Sequence, residues 1–505
     1  MRQILNIVVS LDYDDNEILT NIKKKYGITP DSFKLYHRSL DARRDDLKFN
    51  LKIEIDYPKK LKDASLVSEK YHLKRNVLNK KVAVIGAGPS GLFAAYILSA
   101  AGCKVSVFER GGDIHQRVRD VDNFLKTKVL NPDSNISFGE GGAGTFSDGK
   151  LTSRSKDQKK EFIKDVLVKF GAKEEILVDH KPHIGTDKMR VIIYNMREEI
   201  KKMGATFHFN ERLEHIIHKN NSVHSIVTNR DKYDFDVVIL ALGNASRDTF
   251  LNLLDDGLDV LSKPFAIGFR IEHKRSFIDR CQFKKHIDHP RLLSGEYQLT
   301  ADTANGGVYS FCMCPGGVVV PSSSETDLLS VNGMSYSKRD LPNSNSAIVN
   351  TINGFLDPRE SIEFSRNIER IAFELGGKNM QAPAIHVIDF LEERSPKTKT
   401  EIIPSYPLGV KLTKIDPIFP SDTLKALREG LLKMEKKMKG FTEDAIITAV
   451  ESKTSSPVKI PRDENFESNI KGVYPIGEGA GYAGGIISAA LDGLKCAEKI
   501  MEVFS

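Results

Sequence analysis

Cysteine is scarce and odd in number: Cys103, Cys281, Cys312, Cys314 and Cys496 are the five in 505 residues. That excludes a disulfide framework and points to a reducing compartment. An excess of one charge is also missing. The 74 basic and 68 acidic residues leave a formal net charge of +6, too slight by itself to argue for nucleic acid. The N-terminus, MRQILNIVVSLDYDD, soon turns acidic and has no cleavage-site pattern, so no signal peptide is expected. Low-complexity tracts and internal repeats are lacking. One uncharged run, residues 82–102, is long enough for a membrane span. Gly-Ala-Gly-Pro-Ser-Gly breaks it near its start, which argues against one. These absences leave a cytoplasmic globular protein, long enough for two or three domains.

The same run is the most informative stretch that is present. Residues 81–110 read KVAVIGAGPSGLFAAYILSAAGCKVSVFER, and 82–85 form a short β-branched strand of the kind buried in parallel sheets. Gly86, Gly88 and Gly91 occupy the three glycine positions of a dinucleotide-binding turn. The first permits the tight turn, the second lets backbone approach a pyrophosphate, and the third lets the helix close on the strand. Pro89 and Ser90 open that helix, expected to reach about residue 101. Its N-terminus carries about half a positive charge toward the phosphates. A second strand over 104–108 ends at Glu109 and Arg110. A carboxylate there can accept both ribose hydroxyls and would repel a ribose phosphate, so FAD or NAD fits better than NADP.

Around this unit the chain divides into segments. Residues 1–75 read as a small βαββ domain, with strands at 4–9 and 32–40, a helix at 16–26, and alternation through Leu51, Ile53, Ile55 and Tyr57. The charged turn 38–46 is open to three readings: anion binding, docking on the next domain, or a solvated loop. Residues 76–260 form the first part of the nucleotide-binding domain, with a helix at 191–203 and strands at 205–209 and 236–240. The last strand runs into Ala241-Leu242-Gly243-Asn244, and a turn at Gly243 would pass beside a cofactor. Residues 261–440 form an inserted α+β substrate domain, with strands at 265–271 and 316–320 and helical stretches at 343–353, 361–375 and 421–439. The cationic end of the last stretch suits a helix C-terminus. Residues 441–505 then return to the first domain.

The return is glycine-rich. YPIGEGAGYAGG (474–485) precedes an amphipathic helix over 486–504, so strand, glycine turn and helix recur at the far end. Gly477 and Glu478 resemble the late turn that holds the ribityl chain in flavoproteins of the glutathione-reductase type. The final helix, entered through Gly485 and Ile486, would point its positive end at the flavin. This selects FAD over NAD. A second glycine run, FGEGGAGTFSDGKL (138–151), lacks a preceding apolar strand. It reads as a loop laid against the flavin or pyrophosphate, contributing Gly142, Gly144 and Thr145. No separate NAD(P)H fingerprint appears, so a nicotinamide donor would dock transiently or the substrate itself would supply the electrons. Arg117 is a candidate for the pyrophosphate.

Three residues are candidates for chemistry. Cys312 and Cys314 could exchange electrons with a flavin, although one intervening residue is not the usual Cys-x-x-Cys and no His pair for zinc accompanies them. As neighbours on one strand face they read equally as core. His183 could act as acid or base, or be a satisfied loop histidine. Residues 451–460 (ESKTSSPVKI) line a pocket or form a structured turn, and Arg270 and Glu272 alternate as an ion pair.

Taken together, VIGAGPSGLFAA, FGEGGAGTFSDGKLT, PHIGTDK, SKPFAIGFRIEH, YSFCMCPGG, TSSPVKI and PIGEGAGYAGGI resemble, over nearly the full length, a family of largely uncharacterised FAD-dependent dehydrogenases. The resemblance implies a ferredoxin-like N-terminal domain, a Rossmann-like FAD domain and an inserted domain, but no substrate. Asn244 stands where His is expected, and Lys453 and Lys459 where Arg is commoner. The expectation is a FAD-dependent oxidoreductase acting by hydride transfer at flavin N5 on a small molecule. Alternatives are a flavin-dependent RNA-modifying enzyme, disfavoured by the charge and the lack of aromatic RNA-binding motifs, and a FAD-containing redox sensor switched by the two cysteines.

Overall fold

The structure is a computed structural model that describes residues 1–43, 45–67, 71, 78–153 and 155–504. The expected domain junction at 75/76 and Arg44 of the charged turn lie outside the described residues.

At the N-terminus, alternating Leu5, Ile7 and Val9 bury one face of the strand Arg2–Val9 against the helix Asp15–Tyr26. Asp14 caps that helix by accepting from the Glu17 N–H, and Gly27 ends it in the left-handed conformation. Strands Lys34–Asp41 and Lys48–Asp56 complete the expected βαββ unit, and Ser65–Leu66 adds a short edge. The charged turn serves docking. Arg38 holds Asp179 at 2.8 Å and Asp45 pairs with Lys284, while outside the turn Arg291 donates to the carbonyls of Leu11 (3.1 Å) and Tyr13 (2.8 Å).

The second unit is a five-stranded sheet whose pairings are all parallel, in the order Val473–Pro475, Val237–Leu240, Lys81–Ile85, Lys104–Glu109, Thr206–Phe209. Its outer strand comes from the end of the chain, so the return to the first domain is made. An antiparallel three-stranded sheet (Leu213–Lys219, Ser222–Thr228, Lys232–Asp234) is attached. Helix Pro89–Ala100 is buried almost all round because the last helix, Ile486–Val503, lies against it. The two meet at Gly493, where a Cβ would stand 2.1 Å from the Ser90 carbonyl oxygen.

The inserted domain holds a seven-stranded mixed sheet with Phe265–Lys274 between Asn343–Ile352 and Ile446–Glu451. Helices Pro358–Gly376 and Ser421–Lys437 contribute to its core. Two expectations are corrected. Residues 343–353, read as helical, are a strand. It lies between two neighbours and is buried on both faces from Asn343 to Asn350, so the period-two alternation that marks a strand is missing. The polar residues are accommodated by the sheet: Ser344 Oγ accepts from the Gly316 N–H at 3.0 Å, and Asn343 donates to Glu272 at 3.0 Å. The return also begins later than residue 440, because Ile446–Glu451 pairs antiparallel with Phe265–Lys274 and belongs to the inserted sheet.

Candidate functional site: a cleft between two sheets

The first glycine turn has the geometry its spacing implies. Gly86 has φ +108°, and a Cβ there would lie 2.5 Å from the Ala241 carbonyl oxygen. A Cβ on Gly91 would lie 2.0 Å from the Gly86 oxygen, so helix and strand close as expected. The late turn lies directly against it, since a Cβ on Gly477 would reach within 2.5 Å of Ser90 Oγ. Between them opens a cleft that runs on to the inserted sheet.

Gly86, Gly88, Pro89 and Ser90 line the cleft from the first turn, with Glu109 and Arg110 at the end of the second strand. Gly142 and Gly144 line it from the glycine loop, and Gly243 from the turn after strand Val237–Leu240. Glu478, Gly485 and Ile486 come from the C-terminal segment, and Cys312 from the inserted domain. Glu109 organises the walls: Oε2 accepts from the Ala87 N–H (2.9 Å), and Oε1 accepts from those of Gly111 (3.0 Å) and Gly139 (2.9 Å). With one amide on Oε2, that oxygen keeps acceptor capacity for a hydroxyl. Arg110 is engaged by Asp248 (2.6 Å) and Asp133 (3.1 Å) while stacking on Phe138.

Other expected residues stand back from the cleft. Gly91 and Gly477 act in the close packing just described. Arg117 does not reach the cleft and so is no pyrophosphate ligand: it is wholly buried behind the glycine loop. Its Nε donates to the Asn135 carbonyl (2.9 Å), Nη2 to Ile136 (2.8 Å), and Nη1 to Glu140 (2.7 Å) and Gly142 (2.8 Å). Burial draws this guanidinium down to about 9. Thr145 is also fully buried, its carbonyl accepting from Thr186 Oγ1. His183 lies outside the cleft with Nε2 3.2 Å from the Ser337 carbonyl, and burial lowers its affinity for a proton. It is a satisfied loop histidine. Cys314 is buried behind Cys312.

Toward the inserted domain the cleft gains charged groups. Arg270, fully buried, pairs with Glu451 at 2.8 Å and donates to the Cys312 carbonyl at 2.8 Å. The expected Arg270–Glu272 pair is thereby replaced: Glu272 accepts instead from Asn343 and the Ser405 N–H. Of residues 451–460, Glu451, Lys453 and Thr454 line the cleft. Lys453 Nζ donates to the Ser322 carbonyl (2.7 Å) and Ser324 Oγ (2.8 Å), and burial pulls it down to about 8. Burial pushes the Glu478 carboxyl up to about 7, against the opposing pull of Lys263, and Asn244 donates to it at 3.0 Å. Lys150 and Asn332 also line the cleft. Neither stands out in the sequence, because only the meeting of the two domains brings them there.

The residues fit FAD. Where a Cβ would stand on the cleft glycines Gly243, Gly484 and Gly485, no protein atom other than those of the adjoining residues lies within 4 Å, and at Gly88 the nearest such atom is Gly142 Cα at 3.9 Å. Bare backbone thus faces open space at both ends of the chain, beside the N-termini of two long helices, as an elongated phosphate-containing cofactor requires.

Comparison with known proteins agrees. Residues 264–454 match the family profile described as FAD-dependent protein, C-terminal domain-like, and residues 84–128 match an NAD(P)-binding Rossmann-like domain. Residues 1–56 match a domain of unknown function. A protein of Clostridium beijerinckii described as uncharacterized is 42% identical over 99% of both chains. Thiamine thiazole synthase of Thermotoga maritima is 41% identical over 75 residues, 12% of this chain and 30% of that one. Among solved structures, L-proline dehydrogenase from P. horikoshii aligns over 85% of this chain and 95% of its own, with 12% identity and a TM-score of 0.37. Glycine oxidase from Geobacillus kaustophilus aligns over 85% and 96%, with 10% identity and a TM-score of 0.38. The chain belongs to one family, end to end, with the Clostridium beijerinckii relative, and its residues 264–454 match FAD-dependent proteins. It is a FAD-dependent protein. No helix among the described residues is long and apolar enough to cross a membrane.

Proposed function

We propose that the protein oxidises or reduces a small molecule held between FAD and the inserted sheet. Bound FAD supplies a two-electron centre that gives or takes hydride at its N5 atom. The observation that carries this reading is the composition of the cleft: it is lined by both glycine turns and also by Phe311, Cys312, Asn332 and Glu451 of the inserted domain. The chain's own residues orient and polarise. The helix end at Gly485 and Ile486 favours negative charge beside it. Lys453, drawn toward neutrality by burial, can hold or release a proton near neutral pH. The glycine run at residues 138–151 forms a loop with a short turn at Ala143–Phe146, not a second nucleotide fold, which supports transient docking of any nicotinamide donor.

The test is anaerobic. Yellow holoenzyme is mixed in turn with NADH, NADPH and candidate small molecules, and bleaching near the flavin maximum is followed. Bleaching by at least one of these is expected, and bleaching by a small molecule but by neither nucleotide would mark a substrate-driven dehydrogenase. A protein that binds FAD yet is reduced by no two-electron donor would overturn the proposal.

A further inference from the structure

We propose that Cys312 and Cys314 form a dithiol–disulfide couple that exchanges an electron pair with FAD, an inference that rests on the FAD-dependent reading above. The backbone is built for it. Strand Gly306–Cys314 pairs regularly with Asn343–Ile352 from Val308 opposite Asn350 to Phe311 opposite Ala347, then shifts register before Cys314 meets Asn345. Within this bulge Cys312 takes φ +43°, a left-handed conformation that a non-glycine side chain holds only when its surroundings impose it. On a flat strand, thiols two residues apart share a face with Cα atoms about 6.8 Å apart, at the outer limit for a disulfide. Here the bulge turns the Cys314 thiol back to donate to the Cys312 carbonyl at 3.3 Å.

The two sulfurs are also placed unequally. Cys312 lines the cleft where the cofactor fits, whereas Cys314 has no exposed surface. Two cations close on the segment: Arg270 donates to the Cys312 carbonyl, and Lys150 donates to that of Met313. A hydrogen bond from Cys314, with Arg270 and Lys150 adding to it, draws the Cys312 thiol well below its ordinary range. The same contact and burial push Cys314 up. Both shifts favour keeping the proton on Cys314.

The step balances without a further reactant. The Cys312 and Cys314 sulfurs bond, the Cys314 S–H bond breaks, and one electron pair and that proton pass to FAD, giving the disulfide and FADH−. The reverse reopens the dithiol. The positive end of helix Ile486–Val503, whose first residue lines the cleft, favours the negative product. The couple is thus a second two-electron store beside the cofactor.

The test uses the FAD-loaded protein, its flavin content read first from the visible spectrum. After oxidation with diamide and removal of the reagent, one portion is titrated anaerobically with dithionite. Another is unfolded in guanidinium chloride in the presence of iodoacetamide, so that buried thiols also react, and each cysteine is read by peptide mass. The wild type should take up two electron pairs per FAD, and Cys312→Ser and Cys314→Ala one. In the oxidised wild type, Cys312 and Cys314 should resist alkylation until FAD has been reduced. One electron pair per FAD in the wild type, with both cysteines alkylating fully after diamide, would overturn the couple and leave the cofactor reading intact. A preparation without flavin that takes up no added FAD overturns the cofactor reading and, with it, the exchange. Because the labelling arm uses the wild type alone, it decides even if Cys314→Ala does not fold.

Discussion

A single Cβ separates the roles of the first two glycines. At Gly86 it would collide with the Ala241 backbone at 2.5 Å, so Gly86→Val should damage the fold itself. At Gly88 the protein leaves room, and the added side chain would project into the cleft. Gly88→Val should therefore fold with a melting temperature close to that of the wild-type apoprotein yet purify with less than a tenth of its flavin. Absorbance near 450 nm per mole of protein measures this, and full colour would contradict it. The acid of the late turn gives a pH prediction. Glu478 is held up at about 7 by burial, above the unfolded value of 4.5. Its folded carboxyl binds a proton more tightly than the unfolded one, so its share of stability is whole below pH 4.5 and is lost as pH rises through 7. In the apoprotein, Glu478→Gln should flatten the fall in melting temperature across that window. A parallel fall in both proteins would contradict it. At this scale the sequence was legible where spacing carries the signal, as at Gly86, Gly88, Gly91 and Glu109. It was not legible for Arg117, whose partners are the carbonyls of a loop folded around it, a relation that no side-chain pattern displays.

That loop is the element on which the cofactor wall depends. Arg117 ties residues 135–142 together through their carbonyls, being the donor to those of Asn135 and Ile136, and Gly139 packs so closely that a Cβ would lie 2.4 Å from Arg117 Cδ. Arg117→Met keeps much of the volume and removes every donor. It should cost about 3 kcal/mol, since the buried carbonyls of Asn135 and Ile136 lose their donor, and should weaken FAD retention although the residue never touches the cleft. Thermal unfolding and flavin content measure both, and unchanged stability would contradict the clamp. Among the elements, helices 358–376 and 421–437 were legible from their apolar stripes. The strand Asn343–Ile352 was not. With both faces buried and serine and asparagine at every early position, it shows neither the alternation of an exposed strand nor a run of β-branched residues.

At the scale of the whole molecule, the chain leaves its nucleotide-binding sheet after Leu240, builds a seven-stranded domain, and returns to add Val473–Pro475 beside the strand it left. Two distant glycine segments foretold the return, but its starting point was misplaced, because Ile446–Glu451 carries no mark of which sheet it joins. The N-terminal domain is held both by Phe283 of the inserted domain, buried in its core, and by polar contacts of modest strength. The Arg38–Asp179 pair is about one-third exposed on each side, so Arg38→Ala should cost no more than about 1 kcal/mol and leave flavin content unchanged. A loss of flavin in that variant would show that the domain supports the cleft. The claim that both ends of the chain grip one FAD is tested most directly by hydrogen exchange of the apoprotein with and without saturating FAD. Slowed exchange is expected in both the turn at residues 86–91 and the turn at residues 477–486, with one FAD bound per chain. Protection confined to the first turn, or no uptake of FAD at all, would contradict it.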